Sequence, residues 1–285
     1  MEFNGIVLLD KKKGQSTTRE EVGLKHVFGT KKVGHAGTLD PFATGLIICG
    51  VNKGTKLLNE LESADKTYVA NLRLGIKTSS ADITGEVIEE KEVGEHTIEE
   101  IQKVLDSFKG ESMQMPPMYS ALKFNGVPLY KLARKNETVE RKMRKINVKD
   151  ISLISYNEKE NELIFITTVT KGTYIRTLGE DISEKLNEIG TLVDLRRTRV
   201  GRFNVKNSKP VEEVKVEDII DVSKFYQDIY HLQICGENDK RARNGADLEL
   251  KLEQDVVLLI DLENNAIALY ENAGSGWFKV VKEFV

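Results

Sequence analysis

Apolar and polar residues follow two patterns along the chain. Gly5–Asp10 (Gly-Ile-Val-Leu-Leu-Asp) and Leu46–Cys49 (Leu-Ile-Ile-Cys) are unbroken apolar runs of strand length, as expected of buried strands. Lys66–Leu74 alternates instead. It places Tyr68, Ala70, Leu72 and Leu74 on one face and predicts a half-buried strand. Asp82–Glu92, Ile146–Tyr156 and Glu162–Val169 read as further strands. Val256–Tyr270, broken at Glu263-Asn264-Asn265, reads as a hairpin. Helices are predicted from Ser16 or Thr17 as cap to about Phe28, over Gly54–Leu61, over Thr97–Phe108 and over Leu129–Arg134. Thr97 followed by Glu100 is a capping box. Thr177–Glu188 is amphipathic, with Leu178, Ile182 and Leu186 on one face. Gly29–Gly45 holds four glycines and a proline and reads mostly as loop, while Pro116-Pro117 keeps Gln114–Tyr119 irregular. Beyond a boundary near residues 225–229 the chain is β-rich and acidic, which divides it into 1–228 and 229–285.

Charge changes this picture more than composition does. The 285 residues are 40% hydrophobic and 31% charged, an ordinary soluble mixture. No apolar run approaches the roughly 20 residues that span a bilayer, and no secretory signal is visible, so a cytoplasmic protein without membrane contact is expected. Cys49 and Cys235 lack redox or metal spacing and the four histidines are scattered, so neither a disulfide nor a metal is expected. The net charge of −3 argues at first against nucleic acid, but its distribution argues for it. Lys123–Lys149 holds nine Lys/Arg and two Glu, Leu195–Lys209 six Lys/Arg and no acid, and Ala246–Val285 eight acids and three Lys. Two basic stretches on an acidic scaffold suggest surfaces for phosphate.

The chemistry concentrates in residues 34–45, Gly-His-Ala-Gly-Thr-Leu-Asp-Pro-Phe-Ala-Thr-Gly. Glycines allow close backbone approach, and Pro41 holds Asp40 extended, so a stiff loop presents one carboxylate. On loop chemistry alone an Asp-Pro turn is the commoner reading. Nucleotide-binding loops fail: no Gly-x-Gly-x-x-Gly follows a strand, and Val51-Asn52 stands where the Walker pattern needs Lys-Ser/Thr. Lys171–Arg176 follows a strand and opens a helix. Arg176 in a first turn is disfavoured by the helix dipole and so points to a specific acidic partner, and Tyr174 can stack or donate. Leu195–Arg199 reads as a basic cluster after a helix.

Together these segments resemble the TruB family of tRNA pseudouridine synthases. The matching pieces are 34–45, Lys66–Gly85, Gln114–Lys123, Leu129–Arg134, Lys171–Leu178 and Leu195–Phe203, in family order across most of residues 5–205. The resemblance implies an α+β fold: a mixed, largely antiparallel sheet flanked by helices, with a small β-rich PUA-like domain at the C-terminus. It implies that Asp40 is catalytic, that Tyr68 stacks on the target uracil, and that Arg176 ion-pairs with Asp40. Tyr174 and Leu195 match pocket positions, and His35 matches a histidine that contacts RNA. It implies tRNA, at the T arm, as substrate, a monomer, and no cofactor. Lys56, Lys123, Arg134, Arg141, Lys142, Arg144, Arg196 and Arg197 are the expected RNA contacts, with an insert of about 110–149 closing on the RNA. Beside Arg176, Asp40 is expected to have a lowered pKa.

Three departures stand out. Lys11-Lys12 replaces the family's Lys-Pro, so the support of the Asp40 loop is expected to be looser. Ser183 and Asn187 stand where glycines are expected. The acidic C-terminal strands after Asn244-Gly245 are a poor phosphate surface. Guide-RNA-dependent synthases of the dyskerin type share the Asp loop but generally lack the insert at 119–134, which favours a stand-alone tRNA enzyme. A tRNA-folding chaperone without essential catalysis is the alternative from another class. A glycosidase would need a second, paired acid.

Overall fold

The computed structural model describes residues 3–135 and 137–285. The chain enters a ten-stranded sheet through β1 (Gly5–Lys11), crosses helix α1 (Thr17–Val27), and returns through β2 (Val33–His35) and β3 (Thr44–Val51). A short helix α2 (Leu58–Ser63) leads into β4 (Lys66–Leu74). A small hairpin of β5 (Ile76–Thr78) and β6 (Val87–Glu90) stands apart from the main sheet. Helix α3 (Ile98–Asp106) precedes the edge strand β7 (Gly110–Gln114), a second small hairpin of β8 (Lys123–Phe124) and β9 (Val127–Pro128), and α4 (Leu129–Ala133). Strands β10 (Arg144–Asn157) and β11 (Glu162–Val169), helix α5 (Ile175–Lys185) and strand β12 (Gly190–Val200) follow. β13 (Phe203–Asn204), β14 (Ile220–Asp221) and α6 (Val222–Tyr226) complete this part.

The strand order is β14-β1-β3-β12-β4-β11-β10-β7, with β2 on β3 and β13 on β12. Every pairing in this sheet is antiparallel except β12 with β3. That one parallel contact lays Arg197 beside Gly45, at the root of the Asp40 loop. Beyond α6, β15 (His231–Ile234), α7 (Asp239–Arg243), β16 (Leu248–Glu249), β17 (Val256–Ile260), β18 (Ala266–Gly274) and β19 (Trp277–Glu283) build a five-stranded sheet in the order β15-β17-β18-β19-β16.

Burial explains the two sequence patterns. In β1, Val7 and Leu9 face the core beneath α1, α3 and α5, while Ile6 and Leu8 face a second core. In β3, Ile47 and Cys49 share the first, Leu46 and Ile48 the second. The second face is covered by Phe225 and Tyr226 of α6, by Leu258, Ile260 and Leu269 of the C-terminal sheet, and by Phe284 just after it. Strands buried on both faces carry no polar alternation. β4 has one open face, so it alternates buried and half-buried positions along its whole length.

Helix ends follow the expected chemistry. The Ser16 side chain accepts from the Arg19 amide, and Thr97 and Glu100 close the capping box of α3. Asn187 has φ +60°, the left-handed conformation that a glycine would adopt at the end of α5 and that asparagine tolerates. Ser183 donates to the Gly179 carbonyl at 2.9 Å and is accommodated because Gly190 opposite it has no side chain.

Several strands escape the apolar pattern. β12 contains the basic run Leu195–Arg199, read from sequence as a cluster after a helix. β7 and β19 are also unforeseen, because each lies at or next to a sheet edge and carries mostly exposed residues. Of the strand expected over 82–92 only Val87–Glu90 forms, since the Asp82 carboxylate accepts from the Thr84 amide at 2.9 Å and closes a turn there.

Candidate active site

Residues 36–45 leave β2 and return to β3, and tethers from distant segments hold them. Thr17, first residue of α1, bonds both the Leu39 amide (3.2 Å) and the Leu39 carbonyl (3.3 Å). The Lys11 ammonium, fully buried, donates to the carbonyls of Lys12 (3.0 Å), Gln15 (2.8 Å) and Pro41 (3.2 Å). The Gly14 amide also reaches the Pro41 carbonyl, at 2.7 Å. Arg197 donates to the carbonyls of Leu46 (2.7 Å) and Gly37 (3.0 Å). Leu39, Phe42 and Ala43 anchor the loop in the core. The looser support expected from Lys12 is therefore not found. Lys11 braces the turn from inside, and Lys12 pairs with Glu212 on the surface.

Gly45 is obligatory for this geometry. Its φ is +104°, and a Cβ there would lie 2.3 Å from the Arg197 carbonyl oxygen.

Asp40 meets Arg176 across the gap between this loop and α5. Arg176 Nε donates to Oδ2 at 2.8 Å and Nη2 to Oδ1 at 3.3 Å. The same guanidinium donates to the carbonyls of Ser80 (2.8 Å) and Tyr119 (2.6 Å), so it is fixed from three segments. It is buried, and its Nε lies 3.8 Å from a second buried carboxylate, Asp82. The Asp40 side chain is 37% exposed, which leaves one edge open to a ligand.

Gln114 pins the start of α5. Its Nε2 donates to the Tyr174 carbonyl at 3.1 Å and its Oε1 accepts from the Tyr174 amide at 2.8 Å. Sequence reasoning missed Asp82 and Gln114. Each lay inside a matching segment, but only the fold brings them beside Arg176 and Tyr174.

The expectation of a lowered pKa for Asp40 is overturned. Desolvation raises it, the pull of Arg176 opposes that, and the charge of Asp82 adds to the rise. Burial likewise raises the Tyr174 phenol and brings Lys11 down to about 8.

Asp40 lies in the wall of a cavity of about 850 Å³ that Tyr68, Tyr174, Arg176 and Leu195 also line. Four of the predicted site residues thus gather around Asp40. His35 sits at the base of the loop, where its Nδ1 pairs with Glu21 and its Nε2 lies 3.1 Å from the Thr38 hydroxyl. Among the expected RNA contacts, Arg144 lines the cavity, while Lys123, Arg134 and Lys142 are exposed on the 110–149 segment and do not line it. Arg134 stacks on Tyr130, and Arg141 donates to the Pro116 carbonyl at 2.9 Å. Arg196 forks Asp10 at 3.0 and 2.7 Å, and Lys56 donates to the Glu283 carbonyl at 2.7 Å. Arg197 corrects the reading of the basic run. It is 1% exposed and serves as an internal brace, because carbonyl oxygens of the loop replace the water a surface arginine would bind. Among the described residues no cluster of His, Cys, Asp and Glu could hold a metal ion, and no helix is long and apolar enough to cross a membrane.

The fold recurs in a solved Cbf5-Nop10-Gar1 complex, with a TM-score of 0.70 and 22% identity over all of this chain and 85% of the other. It recurs also in an H/ACA RNP bound to a substrate RNA containing 2′-deoxyuridine, with a TM-score of 0.67 and 20% identity. These two likenesses show a shared fold. The family described as "TruB family pseudouridylate synthase (N terminal domain)" matches residues 25–175. Curated relatives called tRNA pseudouridine synthase B include one from Oenococcus oeni, 38% identical over 99% of this chain and 98% of its own length. Another, from Mesoplasma florum, is 35% identical over 98% and 97%. A third, from Francisella philomiragia, is 40% identical over 75% and 71%. The chain belongs to the TruB family of pseudouridylate synthases.

Proposed function

We propose that this chain isomerises uridine to pseudouridine in the T loop of tRNA, at position 55, acting as a monomer in the cytoplasm. The observation that carries this reading is the two-point contact of Arg176 on Asp40 in the wall of a cavity also lined by Tyr68, Tyr174 and Leu195. In the reaction the C1′–N1 bond breaks, the base turns, and C5 bonds to C1′. C5 loses its proton and N1 gains one, so the change is an isomerisation that needs no redox partner. Asp40 is the group for either opening step, attack on C1′ or removal of a C2′ proton. Arg176 aims it and favours its ionised form against burial.

The target base leaves its stack to enter the cavity, which costs a few kcal/mol. Stacking on Tyr68 returns about 1–3 kcal/mol. Lys123, Arg134, Arg141, Lys142 and Arg144 grip the T-arm backbone, and the 110–149 segment closes over it. Residues 1–228 carry the reaction, and 229–285 act as a PUA-like module. A bare tRNA transcript labelled with tritium at C5 tests the proposal. Wild type should release the label without guide RNA or added protein, and Asp40→Asn should bind the transcript and release none. No release from wild type overturns the assignment.

A further inference from the structure

Two buried cations, Lys66 and Arg197, stand side by side in the cavity wall without an acidic partner. Lys66 is 6% exposed and Arg197 1%. A Cβ placed on Gly37 would lie 3.5 Å from Arg197 Nη1 and 3.9 Å from the Lys66 Cε, so the two side chains flank the same point of the Asp40 loop. Neither comes within salt-bridge distance of a carboxylate among the described residues. The nearby Asp65 is taken by Lys149, at 2.5 Å. Glu62 accepts from Lys66 through its backbone carbonyl, and the Glu62 and Asp65 carboxylates act on the ammonium only through space.

Donors remain on both groups. The Lys66 ammonium gives two of its three N–H groups to the carbonyls of Glu62 (2.5 Å) and Ala64 (2.7 Å). Arg197 uses Nε and Nη2 on Leu46 and Gly37, and its Nη1 makes no hydrogen bond among the described residues. Both residues line the cavity that holds Asp40 and Tyr68. Lys171, which bonds Ser63 at 3.4 Å, adds a further positive charge to the lining of the cavity. Two adjacent buried like charges are costly unless an anion arrives to share them. Burial and the neighbouring Arg197 bring the Lys66 ammonium down to about 8, which an arriving anion would reverse.

We propose that Lys66 and Arg197 form a phosphate subsite that holds a backbone phosphodiester next to the flipped-out nucleotide. The inference rests on the proposed RNA substrate, and it deepens that reading by assigning the anion. Lys66 supplies its third N–H and Arg197 its Nη1 to one non-bridging oxygen pair. The sugar beside that phosphate is then fixed relative to Asp40. Arg197 thus acts twice, as a brace for the loop and as a contact through the cavity.

Affinity for a T-arm hairpin, read by fluorescence anisotropy, tests this independently of turnover. Three hairpins are compared: all-phosphate, and two carrying one neutral methylphosphonate linkage immediately 5′ or 3′ of the target uridine. Lys66→Gln should weaken binding of the all-phosphate hairpin roughly tenfold. Lys66→Arg should restore most of it. One of the two methylphosphonate hairpins should bind wild type with the same loss, and on that hairpin Lys66→Gln should add no further loss. A loss that persists in full on both neutral-linkage hairpins, or no loss on the all-phosphate hairpin, overturns the subsite. Thermal melting of Lys66→Gln reports its folding directly, and if its midpoint falls, wild type alone decides: equal affinity for all three hairpins overturns the subsite. If wild type binds the hairpin but releases no C5 tritium, the isomerase reading falls and the subsite still stands or falls on its own data.

Discussion

Replacing Arg176 by lysine tests the centre of the site. Arg176 makes four bonds: two to the Asp40 carboxylate, one to the Ser80 carbonyl and one to the Tyr119 carbonyl. An ammonium has three donors on one point and cannot span a fork and two carbonyls that lie on separate segments. At least two of these charged bonds are lost, each worth about 1.5–3 kcal/mol. Part of that appears as stability and part as misorientation of Asp40. If about 3–4 kcal/mol falls on the chemical step, single-turnover rates on a T-arm hairpin drop roughly 100- to 1000-fold. RNA affinity should stay within about threefold, because lysine keeps the positive charge and that side chain is buried and paired with Asp40.

The pH profile provides a second readout. Arg176 is the strongest influence holding the Asp40 pKa down against burial. Weakening that hold moves the acid limb of the rate profile to higher pH. Turnover within fivefold of wild type, or a parallel collapse of RNA binding, would refute the reasoning.

Other perturbations probe the support around this contact. Gln114→Ala removes both bonds to the Tyr174 backbone and should cost about 2–4 kcal/mol in urea unfolding, with a fall in turnover that exceeds the fall in RNA affinity. Gly45→Ala forces a Cβ against the Arg197 carbonyl at φ +104° and should destabilise by about 2–4 kcal/mol, read as a lower urea midpoint. Asp181 has a carboxyl pushed up to about 6 by burial, with Glu184 adding to it, against about 3.9 in the unfolded chain. The folded chain then holds a proton that the unfolded chain releases between about pH 4 and 6, so stability falls as pH rises through that window. Asp181→Asn should accordingly raise stability at pH 7.5 by about 1–2 kcal/mol, discounted for partial exposure, and change little at pH 4. Thermal melts at the two pH values compare them directly.

Much of this protein was legible locally. The unbroken runs of β1 and β3, the alternation of β4, and the caps at Ser16 and Thr97 depend on neighbours a few residues away, and the structure reproduces them. Asp40, Tyr68, Tyr174, Arg176 and Leu195 stand out along the chain through the family resemblance of the segments that hold them, and the fold gathers all five around one cavity. What sequence could not decide depends on segments that only folding brings together. The side chain at position 197 reads as surface charge until β12 is laid parallel to β3 and the Gly37 and Leu46 carbonyls close on it. Gln114 becomes a site residue only when β7 meets the start of α5, 60 residues later. The direction of the Asp40 pKa is the clearest case. Its pairing with Arg176 was foreseen and correctly lowers it, but the desolvation that wins is a sum over every wall of the cavity. A pairwise contact can be inferred from two motifs, whereas burial belongs to the whole tertiary structure.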